Sequence, residues 1–455
     1  MRIVLADIKG TRGHVNKDTV AGGYGSRFRG TTKATKTFEI FRRLLINFPS
    51  IHTAYLAAIF ANAGHEVVLT RGAMVRGDLA LVLSSIVDYR NEVRWAEQFR
   101  NETGSPVGFF GTLATHSPGV LYQTADFLIQ GEPEKAAMRL AAGENLSGCV
   151  VSPAINDLDS LPFPRWEGVS KPLLRPTSYF VPVLSSRSCP EFCTYCPHRI
   201  TAGYRARSPQ NVVDEIEELC YLFGDVAFIF RDPLFTEQRE RSIAIAEEMI
   251  RRELPVRFEC ETRLDDLDTE LIDLLHRAGL RSVTFGVESM DPQTLKKVGR
   301  RPIAFDHQKK IISYFKGKGI RTTGFYVFGF PSDTVESIRA TIRYSIDLDT
   351  TMALFKILTP YPGTVLRKQM ESQITEVDLE KFDGYTPTFT HPNLNREQMS
   401  MLLGSAYSRF YVRPSWLFNL LGIQNRFSEK LHGWDSFVHR KLDQMDVEAG
   451  LAPLA

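Results

Sequence analysis

Six cysteines stand in the 455-residue chain, and three of them, Cys189, Cys193 and Cys196, fall within one short run, Ser186-Arg187-Ser188-Cys189-Pro190-Glu191-Phe192-Cys193-Thr194-Tyr195-Cys196-Pro197-His198. Three thiolates on one loop can ligate three irons of a four-iron cluster and leave the fourth iron open to an outside ligand. The other reading is a closed zinc site of Cys₃His type with His198 as fourth donor. His198 follows Cys196 after a single residue, a spacing poor for converging on one metal. Cys149, Cys220 and Cys260 are scattered. They supply neither a second cluster, which needs several ligands close together, nor a disulfide framework. Cys220 lies on an apolar helical stripe and reads as core. Cys260 ends a strand, where a thiol is a candidate catalytic hydrogen donor, though such a cysteine commonly packs a core.

A loop of this kind needs a scaffold, and the pattern around it is a βα series. Strands are expected at 180–184, 226–230, 256–260, 282–285, 322–328 and 353–358, with amphipathic helices between them. Ser208-Pro209 before Val212, Val213, Ile216 and Leu219 places an N-cap, a first-turn proline and an apolar stripe in order. Six parallel strands with outer helices make an open, partial (β/α) barrel over 173–370, with chemistry at the carboxyl ends of the strands. Residues 1–148 alternate strands at 2–6, 65–70, 79–84, 106–110 and 125–129 with helices at 51–63 and 88–101, as a Rossmann-like doubly wound sheet does. The glycine-rich stretch 22–30 reads as a flexible connection. A proline- and aspartate-punctuated linker occupies 149–172. Residues 371–455 change to helices alone, at 395–412, 414–421 and 427–445, with clustered aromatics that read as the core of a helical cap. The fold class is therefore α/β: a doubly wound domain, a partial (β/α)₆ barrel and a helical C-terminal region.

The cysteine spacing, with the aromatic Tyr195 before the last cysteine, resembles the radical S-adenosylmethionine superfamily. The resemblance continues through Phe285-Gly286-Val287-Glu288-Ser289, similar to the family's ribose-contacting fourth-strand motif, and through Phe328-Gly329-Phe330-Pro331, similar to its adenine-reading fifth-strand segment. It implies a [4Fe-4S] cluster on Cys189, Cys193 and Cys196, S-adenosyl-L-methionine chelated to the open iron, and cleavage to methionine and a 5′-deoxyadenosyl radical. Tyr195, Asp232, Arg263, Glu288, Ser289, Gly329 and Pro331 are then expected around that cofactor.

Thr359-Pro360-Tyr361-Pro362-Gly363-Thr364 resembles the sixth-strand turn of the branch with an N-terminal cobalamin-binding-type domain. So do Leu83-Ser84-Ser85, Phe110-Gly111-Thr112-Leu113-Ala114-Thr115, Ala125-Asp126 and Gly131-Glu132-Pro133-Glu134. Ser84, Gly111 and Gly131 are the cobalamin contacts this implies. The branch's Asp-x-His-x-x-Gly ligand loop is missing. His14, His52, His65 and His116 are expected in surface or capping roles. With cobalamin the resemblance implies methylation of an unactivated carbon. Without it, dehydration, deoxygenation or rearrangement of a sugar-like molecule is the alternative. Outside the enzyme class stands a metal-stabilised binding protein.

Composition narrows the partners. Lysine plus arginine number 55 against 53 acidic residues, giving no electrostatic reason to expect nucleic acid or an acidic membrane. No apolar run is long enough to span a bilayer, and the start of the chain lacks a secretory pattern, so the expectation is a cytoplasmic enzyme. The expected partners are a small-molecule substrate from secondary metabolism, such as antibiotic biosynthesis, and a flavodoxin- or ferredoxin-like electron donor, the latter implied by the resemblance.

Overall fold

The computed structural model describes residues 1–30 apart from 11, 18 and 19, residues 36, 39 and 40, then 50–166, 179–420, and 434–444 apart from 437 and 439. The expected helix at 427–445 lies largely outside the described residues.

The N-terminal domain carries strands β1 (Arg2–Ala6), β2 (His14–Asn16), β3 (Ser26–Phe28), β4 (Glu66–Thr70), β5 (Leu79–Leu83), β6 (Val107–Phe110), β7 (Phe127–Gly131) and β8 (Gly148–Ser152). Six of them form a parallel sheet in the order β4-β1-β5-β6-β7-β8. Strands covered on both faces read as continuous apolar runs, and Leu79-Ala80-Leu81-Val82-Leu83 is buried throughout. The helix Ile51–Asn62 is capped by Ser50, whose side chain accepts from the Thr53 N–H, and buries nine side chains. The sheet runs through Ser152, past the expected boundary at 148. The glycine-rich stretch is no flexible connection: β3 pairs antiparallel with β2 as a buried hairpin. Tyr24 stacks on Tyr361 at 5.2 Å and donates to the Pro362 carbonyl at 2.7 Å.

The second sheet consists of β9 (Tyr179–Val183), β12 (Val226–Phe230), β13 (Val256–Thr262), β14 (Leu280–Glu288), β15 (Arg321–Phe328) and β16 (Met352–Ile357), all parallel, in the order β16-β15-β14-β13-β12-β9. A two-residue hairpin, β10 (Ser186–Arg187) with β11 (Arg205–Ala206), closes the base of the cysteine loop. The six expected strands are present. The N-cap at Ser208 is present too, accepting from Asn211 with Pro209 in the first turn. Phe228, Phe258, Phe285, Tyr326 and Phe355 point outward into one core with helix residues such as Ile216, Ile245 and Leu271. Along β13, Val256, Phe258, Cys260 and Thr262 are buried and Glu259 and Glu261 half-buried, so the alternate residues line the lumen.

The C-terminal aromatics seal an edge. Tyr407 and Tyr411 of the helix Arg396–Tyr411 each accept from and donate to one backbone residue of β16, Phe355 and Ala353 respectively. Four residues of helix rise about 6 Å and two of strand about 6.6 Å, so the two hydroxyls match the edge that would otherwise be unpaired.

Candidate active site

The cysteine loop leaves the carboxyl end of β9 and is fastened on several sides. Asp232, at the end of β12, is fully buried and accepts from the Ser185 N–H at 3.1 Å, the Ser185 hydroxyl at 2.7 Å and the Ser186 hydroxyl at 2.5 Å. Thr194 donates its N–H to the Val298 carbonyl and accepts from the Leu366 N–H, both at 2.9 Å. Ser188, directly before Cys189, holds a left-handed φ of 67°, a conformation that costs a non-glycine residue about 1–3 kcal/mol and persists where the surroundings enforce it. Burial pushes the Cys189 thiol up to about 11 and the Cys196 thiol up to about 12, and the neighbouring cysteines add to both shifts. Thiols so placed are poor free nucleophiles, and only a bound cation makes their thiolates stable. Three thiols on one loop, each near the others, fit a cluster. Among the described residues no three His, Cys, Asp or Glu close around a single ion, a demand that a cluster carrying each sulfur on a different iron does not make.

Glu288, at the end of β14, is the second left-handed residue, with φ 64°, where the register with β15 slips. That turn folds its carboxylate back over Gly286: a Cβ there would lie 2.2 Å from Glu288 Oε1 and 2.7 Å from Arg300 Nη2, so a side chain at this position would displace both. Glu288 lies 3.6 Å from the Arg300 guanidinium and takes a hydrogen bond from Tyr195. Burial raises its pKa, and Arg300 and Tyr195 oppose the rise. The Tyr195 ring meets Phe330 edge-on at 5.6 Å. Arg263 is buried, bidentate on Asp265 at 2.9 and 2.7 Å, and its Nη1 has no partner among the described residues. An orphaned guanidinium N–H at the carboxyl end of a barrel strand suits an incoming carboxylate. Ser289 accepts from the Asp291 N–H at 3.1 Å. The N–H groups of Gly329 and Phe330 both go to Asp333 at 2.9 Å, and His391 Nε2 donates to the Phe330 carbonyl at 2.8 Å while its Nδ1 accepts from Asn393. Pro331 is exposed beside this turn.

Opposite the loop the carboxyl ends of both sheets face each other across a cleft of about 910 Å³, counting space open to solvent. Leu83, Gly111 and Gly131 line one wall and Ser188, His198 and Arg231 the other. His198 thus lies along the cleft wall, and burial, with Arg231 beside it, lowers its pKa to about 4. The walls are joined by a buried ionic clamp. Arg187 pairs with Glu134 at 2.8 Å and Glu132 at 3.4 Å, and Arg205 pairs with Glu132 at 2.5 Å.

Residues 183–345 match the radical SAM superfamily. That segment of the chain is a radical SAM domain. This radical SAM enzyme is 28% identical to an uncharacterized methyltransferase of Pyrococcus horikoshii, over 65% of this chain and 66% of the relative. It is 30% identical to an anaerobic magnesium-protoporphyrin IX monomethyl ester cyclase of Rubrivivax gelatinosus, over 58% of this chain and 48% of that one. The matches thus span about half to two thirds of these relatives' lengths. Its fold resembles the radical S-adenosylmethionine methyltransferase TsrM of Kitasatospora setae, solved with cobalamin and a [4Fe-4S] cluster (TM-score 0.63, 18% identity, 83% of this chain and 76% of that chain). It also resembles the cobalamin-dependent radical enzyme OxsB (TM-score 0.67, 11% identity, 99% and 75%). A [4Fe-4S] cluster and S-adenosylmethionine are the enzyme's cofactors.

Several expectations need correction. Cys260 faces the outer core with Phe258, not the lumen, and burial raises its thiol pKa, so it is no hydrogen donor to a product radical. Asp232, expected around S-adenosylmethionine, spends its carboxylate on Ser185 and Ser186 and so positions the loop. Ser84 is fully buried: its hydroxyl donates to the Phe110 carbonyl at 2.7 Å and accepts from Ala114 at 3.1 Å, away from the cleft. His14 is buried in β2, His52 lines the cleft, and His116 contacts Thr201 across the domains at 3.3 Å, whereas His65 meets the carbonyl of Ala141, the last residue of the helix Glu134–Ala141, at 3.0 Å. Arg300, Arg187 and His391 were not legible as site residues, because their partners lie far away in sequence.

Proposed function

We propose that this is a cobalamin-dependent radical methyltransferase that modifies an unactivated carbon of a small secondary metabolite in the cytoplasm, with electrons supplied by a flavodoxin- or ferredoxin-like protein. The observation that carries the reading is the cleft: a wall of backbone and small or apolar side chains from the doubly wound sheet lies opposite the cysteine loop, with room between them. A broad corrin ring needs such a wall, and Gly111 and Gly131, both at positive φ, put backbone there instead of side chains. Gly131-Glu132-Pro133-Glu134 supports the reading in another way, since its two carboxylates hold the cysteine-loop hairpin against the wall. The methyltransferase names among the relatives agree with it.

When bound, the cofactors supply a 5′-deoxyadenosyl radical and a transferable methyl group. The chain's own residues bind and orient. Cys189, Cys193 and Cys196 would hold the cluster, Arg263 would take the methionyl carboxylate through Nη1, and Glu288 with Ser289 would meet the ribose. The Gly329–Pro331 turn would pack the adenine, and Gly111 with Gly131 would border the corrin. The clamp of Arg187 and Arg205 on Glu132 and Glu134 keeps the two cofactor walls in register and water out of the joint.

Oxygen-free protein incubated with reductant and S-adenosylmethionine bearing a deuterated methyl is expected to release 5′-deoxyadenosine and to carry label onto its corrinoid. The Cys189→Ala, Cys193→Ala, Cys196→Ala variant should do neither. Cleavage by a protein that retains no corrinoid would replace methylation with the sugar-like dehydration or rearrangement. A colourless protein that leaves S-adenosylmethionine intact would point to the binding-protein reading.

A further inference from the structure

One turn, from Val298 to Arg301, grips the cysteine loop from outside the series of motifs. Its Val298 carbonyl takes the Thr194 N–H at 2.9 Å. Gly299, at φ 73°, backs onto the loop so closely that a Cβ would lie 2.6 Å from the Phe192 carbonyl. Arg301 pairs with Glu191 at 2.9 Å, and its own carbonyl is held by Arg263 at 3.1 Å. Between these contacts the Arg300 side chain runs inward, only 11% exposed. Its Nη2 donates to the Gly286 carbonyl at 2.5 Å and lies 3.6 Å from Glu288, and the guanidinium reaches the Cys193 thiol.

A buried cation costs several kcal/mol in desolvation unless something repays it. Glu288 is an imperfect partner at 3.6 Å, shared with Tyr195. The acidic side chains that face Arg300 are Tyr195, Glu288 and Cys193. A thiolate carrying a cluster is the one group at this place whose negative charge grows when an electron arrives, and a cation facing it stabilises the reduced form more than the oxidised one.

We infer that Arg300 is a positioning residue for the iron–sulfur cluster, which seats Cys193 and by its charge makes the cluster easier to reduce. The inference rests on the cluster occupying this loop. One electron, from the titrating reductant, enters the cluster, and no bond is made or broken. Neutralising Arg300 weakens that electron's binding about tenfold, which for a one-electron couple is a negative shift of about 59 mV.

The test is a redox titration of the reconstituted full-length protein, followed by electron paramagnetic resonance without S-adenosylmethionine, alongside iron and sulfide counts. Arg300→Gln keeps a hydrogen-bond donor and loses the charge, and Arg300→Lys keeps the charge and loses the fork. Arg300→Gln is expected to titrate at lower potential, with Arg300→Lys near wild type. Loss of iron from Arg300→Gln with retention by Arg300→Lys also supports the role of the charge. A full cluster in Arg300→Gln at unchanged potential overturns the inference, as does loss of iron from both variants, since then the shape of the fork matters and not its charge. Failure of the wild type to take up a four-iron cluster would overturn the cluster reading itself, and so is distinct from either result.

Discussion

The two parallel sheets meet across the cleft with edges of opposite character. On the doubly wound side the wall is Leu83, Phe110, Gly111, Thr112 and Gly131, and its carboxylate Glu132 is taken by Arg187 and Arg205. On the barrel side the strand ends carry Arg231, Asp232, Arg263 and Glu288, and Arg300 reaches in from beyond β14. The architecture of parallel strands is the same; the chemistry at their ends is not. A wall in which glycine backbone, Leu83 and Phe110 stand beside few charged groups suits a large ligand held by contact area, and a rim of charged strand ends suits a zwitterion held by its ends. In the proposed reading, the glycines of one edge border the corrin and Arg263 of the other takes the carboxylate of S-adenosylmethionine.

Breaking the joint should have the largest effect. Glu134→Ala leaves Arg187 buried with a weakened set of partners, and the loss of a buried ion-pair member costs about 3–5 kcal/mol. Thermal unfolding should show a drop in Tm of several degrees, with iron and corrinoid lost together. Arg263→Ala acts on the barrel edge alone: S-adenosylmethionine binding should weaken about tenfold to a hundredfold, the worth of one or two charge-assisted hydrogen bonds, with corrinoid content unchanged by absorbance. Ala202→Trp fills the cleft from the side of the cysteine loop, since Ala202 lines it and is half-buried. Corrinoid retention should fall while four irons and reductive cleavage remain, and parallel loss of both would merge the two edges into one site.

The smallest effect concerns the Gly329–Asp333 turn. Burial raises the Asp333 carboxyl to about 6, against the two backbone N–H groups that favour its charge. Its folded pKa is above the unfolded value, so the folded state binds the extra proton and this group's contribution to stability is lost as pH rises from about 4 through 6. Asp333→Asn should flatten that part of the stability-versus-pH curve, read by denaturant unfolding at several pH values.

Much of this was legible in the sequence because it is local. The cysteine spacing, the six βα units and the Ser208-Pro209 cap each lie within a few residues. The orientation of Cys260 was legible too: Val256, Phe258 and Cys260 alternate with Arg257, Glu259 and Glu261, a pattern that puts the thiol on the apolar face. Position at a strand end pointed to chemistry, but parity decided against it. Arg300 with Cys193, and Arg187 with Glu134, were out of reach, because pairs so far apart leave no periodicity to read. The hairpin of β2 and β3 was hidden by its glycines, which mark turns more readily than three-residue strands.

The division of labour between the two edges is tested most directly by counting iron, sulfide and corrinoid per chain in oxygen-free wild-type and Ala202→Trp protein. The account predicts about four irons in both and about one corrinoid in the wild type only. Fewer than four irons in the wild type, or a corrinoid retained when the cleft is filled, would contradict it.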